Sequence, residues 1–297
     1  MTTTARSTTA ANRTAAGTGT DNAISVSGLR KWYRDVKAVD GIDLEIAHGE
    51  IFALLGPNGA GKSTTVEILA GHRPRTSGEV TVLGADPQRA GRAWRAQIGI
   101  VLQEATDSRD LKVREVVEHF ARYYPNPRPP AEVLELVGLT EQAKRRVRLL
   151  SGGQRRRLDV AVGIIGRPRL LFLDEPTTGF DPEARRHFWD LIRSLATDGT
   201  TILLTTHYME EAEALSDRVA VIASGRLVAL GTPESLRGRA QTTVSWLEGG
   251  QIRRITTTEP SAVVAQLAAR FGGEVPGLNV TRPSLEDIYL ELIGEKR

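Results

Sequence analysis

The stretch Gly56–Thr64, GPNGAGKST, constrains this chain more than any other. It fits G-x-x-x-x-G-K-[ST], with Gly56, Gly61, Lys62 and Ser63 at the fixed positions, Pro57, Asn58, Gly59 and Ala60 between them, and Thr64 following. The glycines let the backbone turn tightly, so that successive N–H groups point inward at a phosphate chain. The loop then feeds a helix start, where unpaired N–H groups and the helix dipole favour an anion. Lys62 is placed to reach β- and γ-phosphates, and the Ser63 hydroxyl to ligate Mg²⁺. The flanks agree. Ile51–Leu55 is a short apolar run that reads as a buried strand, and Val66, Leu69 and Ala70 fall at helical spacing before Gly71 closes the helix. The loop by itself says nucleotide and no more.

The remaining chemistry must come from elsewhere in the chain. Residues 1–22 are mostly Thr, Ala, Ser and Gly and read as a disordered tail, unable to bury enough surface to offset chain entropy. Ala23–Arg30 and Ile42–Ala47 alternate apolar and polar residues, as half-buried antiparallel strands do. Between them Lys31–Trp32–Tyr33 reads as a loop, whose Tyr33 either stacks on an adenine ring or is an ordinary packing aromatic. Glu79–Leu83 and Ile98–Leu102 are two further strands, the second ending at Gln103. Val113, Val116, Val117, Phe120, Ala121 and Tyr124 form an amphipathic stripe, and after Pro125–Pro130 a second short helix covers Ala131–Val137.

Lys144, Arg145, Arg146, Arg148, Arg155, Arg156 and Arg157 are the most basic part of the chain and read as solvated helix faces. Within them lies Leu150–Gln154, LSGGQ. Ser151 is a helix N-cap, but the double glycine at a helix start beside a hydroxyl also makes a second anion site. Leu170–Asp174 is an apolar run that delivers Asp174 and Glu175 to the C-terminal edge of a strand, where α/β sheets place ligands. Asp174 there would hold the Mg²⁺ shell, and Glu175 would orient or deprotonate the attacking water. Asp181–Pro182 starts the next helix, with Ala184, Phe188, Leu191, Ile192 and Leu195 facing a sheet. Thr201–Thr205 is a strand ending near His207, which is either a neutral bystander or core histidine or, at the end of such a strand, a γ-phosphate contact, and Arg218–Ala223 is the last β-rich run before Ser224–Gly225. Beyond about Ala240 the composition changes. Strands at Thr242–Leu247 and Gln251–Thr258, a helix at Ser261–Phe271, a strand at Leu278–Thr281 and a helix at Ser284–Ile293 read as a small appended α+β domain without a catalytic cluster.

Composition closes several routes. Cysteine is absent, so no disulfide, thiolate zinc site or thiol nucleophile exists. Lys and Arg number 39 against 36 Asp and Glu, a net +3 that demands no nucleic-acid partner. No apolar run approaches the length of a membrane span.

Taken together, these motifs in this order resemble the nucleotide-binding subunit of ABC transporters, over about residues 24–235. GPNGAGKST looks like the Walker A loop, Gln103 the Q-loop, Leu150–Gln154 the signature sequence, Leu170–Asp174 the Walker B strand with Glu175 as catalytic glutamate, Gly179–Phe180–Asp181 the D-loop, His207 the switch and Tyr33 the adenine-stacking residue. The resemblance implies an α/β fold: a P-loop NTPase core with a parallel sheet, an antiparallel β subdomain and a helical subdomain at about 104–155. With it come a nucleotide-binding domain over 23–240 and a C-terminal accessory domain over 241–297. It implies ATP and Mg²⁺ as cofactors, with Gln103 joining Ser63 and Asp174 around the metal. It implies a head-to-tail homodimer in which Ser151, Gly152, Gly153 and Gln154 of one copy meet the triphosphate on Lys62 of the other, with Asp181 at the seam. It also implies an integral-membrane permease docked near 104–124, and a place at the cytoplasmic face of the membrane. The phrases LSGGQRRRLDVA, TTHYMEEAE and RPSLEDIYLEL are similar to drug- and lipid-exporting members. Chromosome-maintenance ATPases of the same core carry a long insertion between Q-loop and signature, and only 47 positions separate Gln103 from Leu150 here.

Overall fold

The computed structural model describes residues 22–101, 109–237, 242–282 and 284–294. The expected tail, apart from Asn22, and Gln103 lie outside the described residues. The chain opens with β1 (Asn22–Tyr33) and β2 (Val36–Ala47), an antiparallel hairpin over the two-residue turn Arg34–Asp35. Lys31–Tyr33 is therefore strand rather than loop, with Tyr33 paired to Val36, because the turn is short enough for the ladder to run to its tip. β3 (Ile51–Leu55) leads through the glycine loop to α1 (Lys62–Leu69), and β4 (Ser77–Val82) then joins the free side of β1. The short α2 (Arg92–Arg95), which no periodicity announces, precedes β5 (Ile98–Val101).

A helical segment follows: α3 (Val113–Ala121), α4 (Pro130–Leu136) and α5 (Gly152–Ile164). The chain then alternates: β6 (Leu170–Asp174), α6 (Pro182–Thr197), β7 (Thr201–Thr206), α7 (Met209–Leu215), β8 (Arg218–Ala223), β9 (Arg226–Gly231) and α8 (Pro233–Arg237). β8 is not the last strand of this part, as the sequence suggested. The turn at Ser224–Gly225 folds β9 back on it as an antiparallel edge. The six strands run β5-β6-β7-β3-β8-β9, and all but β9 are parallel.

The unbroken apolar runs have a simple cause. Both faces of this sheet are covered, so alternate residues go to opposite cores. Ile51, Ala53, Leu55, Leu171 and Leu173 point into the core shared with the helices, among them Val116, Val117, Leu158 and Ile164. Phe52, Leu54, Leu170 and Phe172 point into the core closed by the antiparallel sheet, with Ile24, Leu44, Val66 and Val80.

The C-terminal part holds β10 (Thr242–Glu248), β11 (Gln251–Thr257), α9 (Pro260–Phe271) and β12 (Asn279–Thr281), a three-stranded sheet in the order β11-β10-β12. Its core is small: Val244, Leu267 and Val275. The last helix, α10 (Leu285–Gly294), leaves that sheet and packs on α7 and α8. Leu285 is fully buried in the helical core of the large sheet, and Tyr289 packs against the same core.

Candidate functional site

Consider first the helix start after β3. α1 begins at Gly61 with φ +105°, no side chain caps it, and no acidic residue sits in its first turn. Its first N–H groups are thus left for an outside acceptor. The loop before it is shaped for close backbone approach: a Cβ on Gly56 would meet the Ile222 carbonyl oxygen at 2.3 Å, and one on Gly61 the Ala38 carbonyl oxygen at 2.3 Å. Pro57, Asn58 and Gly59 are exposed at the loop crest, whereas Ala60 is buried below it. Lys62 is buried, and its ammonium donates to Gly56 O at 2.8 Å and Pro57 O at 3.2 Å. Burial pushes its pKa down, and the Glu175 and Asp174 carboxylates pull it back up.

Those carboxylates arrive on β6. Asp174 ends the strand, buried, and its Oδ1 accepts from the Thr205 hydroxyl on neighbouring β7. Glu175 follows with φ +48°, a left-handed conformation that costs a non-glycine residue of order 1 kcal/mol and is held by its N–H donating to Thr205 O at 3.0 Å. That turn brings Glu175 Oε2 to 3.4 Å from Nδ1 of His207, which leaves the end of β7. A cleft of about 590 Å³ is lined by Ala38, Gly56, Pro57, Asn58, Gly59, Gly61, Lys62, Ser63, Thr64, Glu175, His207 and Tyr289. An unpaired helix start, an ammonium, a carboxylate and an imidazole thus share one cavity, a fit for a phosphate chain and an attacking water. Ser63 is exposed on the cavity lining, whereas Asp174 is buried and outside it; both offer oxygen ligands of the kind Mg²⁺ takes, an ion that draws most of its ligands from water and phosphate.

Other expected residues stand apart from this cavity. Tyr33 is 39% exposed at the hairpin tip and outside the cavity lining. Lys31 Nζ lies 4.9 Å and Arg73 Cζ 5.5 Å from its ring centroid, a cation–π setting. Ser151, Gly152, Gly153 and Gln154 begin α5 elsewhere. Ser151 Oγ accepts from Gln154 N at 3.2 Å, and Gln154 Oε1 accepts from Ser151 N at 3.1 Å, so this second helix start is closed by its own side chains. Ser151 and Gly152 are exposed. Asp181 caps α6, its Oδ1 accepting from Ala184 N at 2.8 Å. Before it, Phe180 is buried edge-on against Phe188, with ring centroids 5.7 Å apart.

Three contributions escaped the sequence. Arg156, expected on a solvated face, is buried: its guanidinium donates to the carbonyls of Asp174 and, at 3.2 Å, Pro176. It rivets α5 to the end of β6. A run of arginines carries no mark of which member turns inward, so nothing in the sequence singles it out. Ala38 walls the cavity from the part of β2 that precedes the expected strand Ile42–Ala47, since β2 begins at Val36. Tyr289 comes from α10, whose amphipathic stripe gives a face but not a destination.

The family model described as ABC transporter matches residues 39–178. A daunorubicin resistance ATP-binding protein of Streptomyces coeruleorubidus is 38% identical over 93% of this chain and 98% of its own length. A Nod factor export ATP-binding protein of Rhizobium sp. (strain N33) is 39% identical over 92% of this chain and 98% of its own. Among solved structures, one titled as the ATP-binding subunit of an ABC transporter superposes with a TM-score of 0.69 at 22% identity, covering 91% of this chain and 98% of that one. A second, the dimeric post-hydrolysis state of an ATP-binding cassette bound to ADP and phosphate, gives a TM-score of 0.65 at 24% identity, covering 70% of this chain and 98% of that one.

Proposed function

Because this chain belongs to the ATP-hydrolysing subunits of ABC transporters, we propose that it drives export through a separate membrane permease, working as a head-to-tail pair that closes on two ATP molecules. ATP and Mg²⁺ are the cofactors of this family. The observation that carries the proposal is the separation of the two helix starts: Lys62, Glu175 and His207 line one cavity, and Ser151 opens a different helix outside it. A single copy holds a triphosphate from one side only. A second copy, turned the other way, brings Ser151, Gly152 and Gly153 of the partner subunit to the open side, with Asp181 at the seam.

Within the site each side chain has a task. The N–H groups of Gly59 and of Gly61–Thr64 and the Lys62 ammonium bind the phosphates, while the Ala60 N–H is already donated to Pro57 O at 3.1 Å. Glu175, fixed by its strained turn, orients the attacking water and accepts its proton; His207, 3.4 Å away, holds the γ-phosphate side of that geometry. Ser63 and Asp174, with Gln103, would hold Mg²⁺, which neutralises phosphate charge when bound. Tyr33 stacks on the adenine from the hairpin tip. Residues 23–240 form the nucleotide-binding domain and 241–297 the accessory part.

The export reading follows the relatives named for daunorubicin resistance and Nod factor export, and it points to drugs, lipids or similar compounds as cargo. No helix among the described residues is long and apolar enough to cross a membrane, and a permease supplies the path and holds this subunit at the cytoplasmic face. Affinity capture from solubilised membranes tests the pairing: a polytopic protein should co-purify, and recovery of soluble proteins alone overturns the transporter reading.

A further inference from the structure

The terminal helix sends one residue, Tyr289, into the catalytic cavity, outside every motif assigned above to the nucleotide site. α10 is firmly seated. Leu285 is fully buried, Ile288 is buried, and Leu285 N donates to Glu213 Oε1 on α7 at 2.9 Å. Tyr289 lies four residues after Leu285, hence on the same face of the helix. α7 starts two residues after His207, so a helix lying along α7 reaches the cavity from its His207 side, where Glu175 also stands. Tyr289 is half-buried there and lines the cavity together with Lys62, Glu175 and His207. Burial raises the pKa of its phenol, so the hydroxyl keeps its proton and is a donor at neutral pH.

We propose that Tyr289 is a further nucleotide-contacting residue, donating its O–H to the terminal phosphate of a bound nucleoside triphosphate, so that α10 distinguishes ATP from ADP. The inference rests on the cavity being the ATP site. It makes the C-terminal helix part of the catalytic machinery. A triphosphate adds a bond to α10 that a diphosphate cannot reach, so α10 is held more tightly in the ATP state. The coupling is reciprocal: ATP tightens the docking of α10 by the same factor by which docked α10 tightens ATP binding.

Nucleotide titrations on the full chain test this, using ADP and a non-hydrolysable ATP analogue with wild type, Tyr289→Phe and Tyr289→Ala. A hydrogen bond to a charged phosphate is worth about tenfold in affinity. Tyr289→Phe, which keeps the ring and its packing, should therefore lose about tenfold for the ATP analogue and leave ADP within about twofold. Amide exchange along α10 gives a second readout: in wild type it should slow with the ATP analogue relative to ADP, and in Tyr289→Phe that difference should vanish. Equal affinities of wild type and Tyr289→Phe for both nucleotides overturn the proposal. So does a Tyr289→Ala loss that is the same for ADP and the analogue, since that is a packing effect. Failure of wild type to bind either nucleotide is a different result and removes the ATP-site reading itself.

Discussion

Two helix starts in this chain are chemically alike on paper and opposite in the structure. Both carry glycine at the helix start, and both present a serine. At α1 the cap is a left-handed glycine, no side chain closes the first turn, and a buried lysine waits beside it. At α5 the serine and Gln154 close the turn reciprocally, and Ser151 and Gly152 stand in solvent. The first start is held open at the expense of local satisfaction, as a permanent ligand site is. The second is content by itself and can exchange its internal bonds for external ones of the same kind. A helix start kept unsatisfied declares a resident ligand; a satisfied but exposed one suits an occasional visitor.

Substitutions can break this contrast or sharpen it. The largest effect belongs to Lys62→Ala, which removes the buried charge from the open start. Turnover should fall at least about 1000-fold and nucleotide binding should fade with it, read by phosphate release and fluorescence titration. Wild-type hydrolysis in this variant would leave the open start without a function. Glu175→Gln should cut turnover about 100-fold while sparing ATP affinity. With hydrolysis stalled, ATP but not ADP should drive a dimer on gel filtration, and a monomer at high concentration argues against the paired arrangement.

Ser151→Ala tests the closed start. ADP affinity of the single chain should not change, ATP-driven dimerisation should weaken about tenfold, and loss of the cap should cost about 1 kcal/mol in denaturant unfolding. If ADP binding dropped instead, the two starts would serve one cavity in one chain and the contrast would fail. The smallest effect belongs to a residue of neither helix start. Asp86 pairs with Arg75 through two contacts of 2.8 Å, which hold its pKa at about 2 against an ordinary 3.8. A carboxylate depressed in the fold adds stability above about pH 4, and that stability fades as pH falls toward 2. Asp86→Asn should therefore cost about 1 kcal/mol at neutral pH, with the gap from wild type closing in acid melts and both helix starts unaffected.

How far the sequence reaches depends on what a residue's role is made of. The open start was legible because its chemistry is local: glycines, lysine and serine work at fixed spacing within one turn of chain. The Asp174–Glu175 pair and His207 were legible for a related reason, since each ends a recognisable buried strand, and parallel strands bring their ends to one edge. Arg156 was not, because its partners are backbone carbonyls at the end of β6, and a carbonyl leaves no trace in a sequence. Tyr289 was hidden by distance along the chain. Its helix looked like the last member of a small appended unit, and only the packing of Leu285 on the large body reveals where it goes. β9 escaped for want of alternation: its pairing with β8 is imposed by the Ser224–Gly225 turn.

The seating of α10 has a practical side. The helix ends at Gly294, five residues past Tyr289, or about 8 Å along its axis. A fluorophore placed at the exposed end of α10, at Gly294, therefore starts within reach of the catalytic cleft. Labels for binding or assembly measurements belong at the other end, ahead of β1, where the first strand opens in the antiparallel sheet and the added mass hangs from a different layer of the molecule.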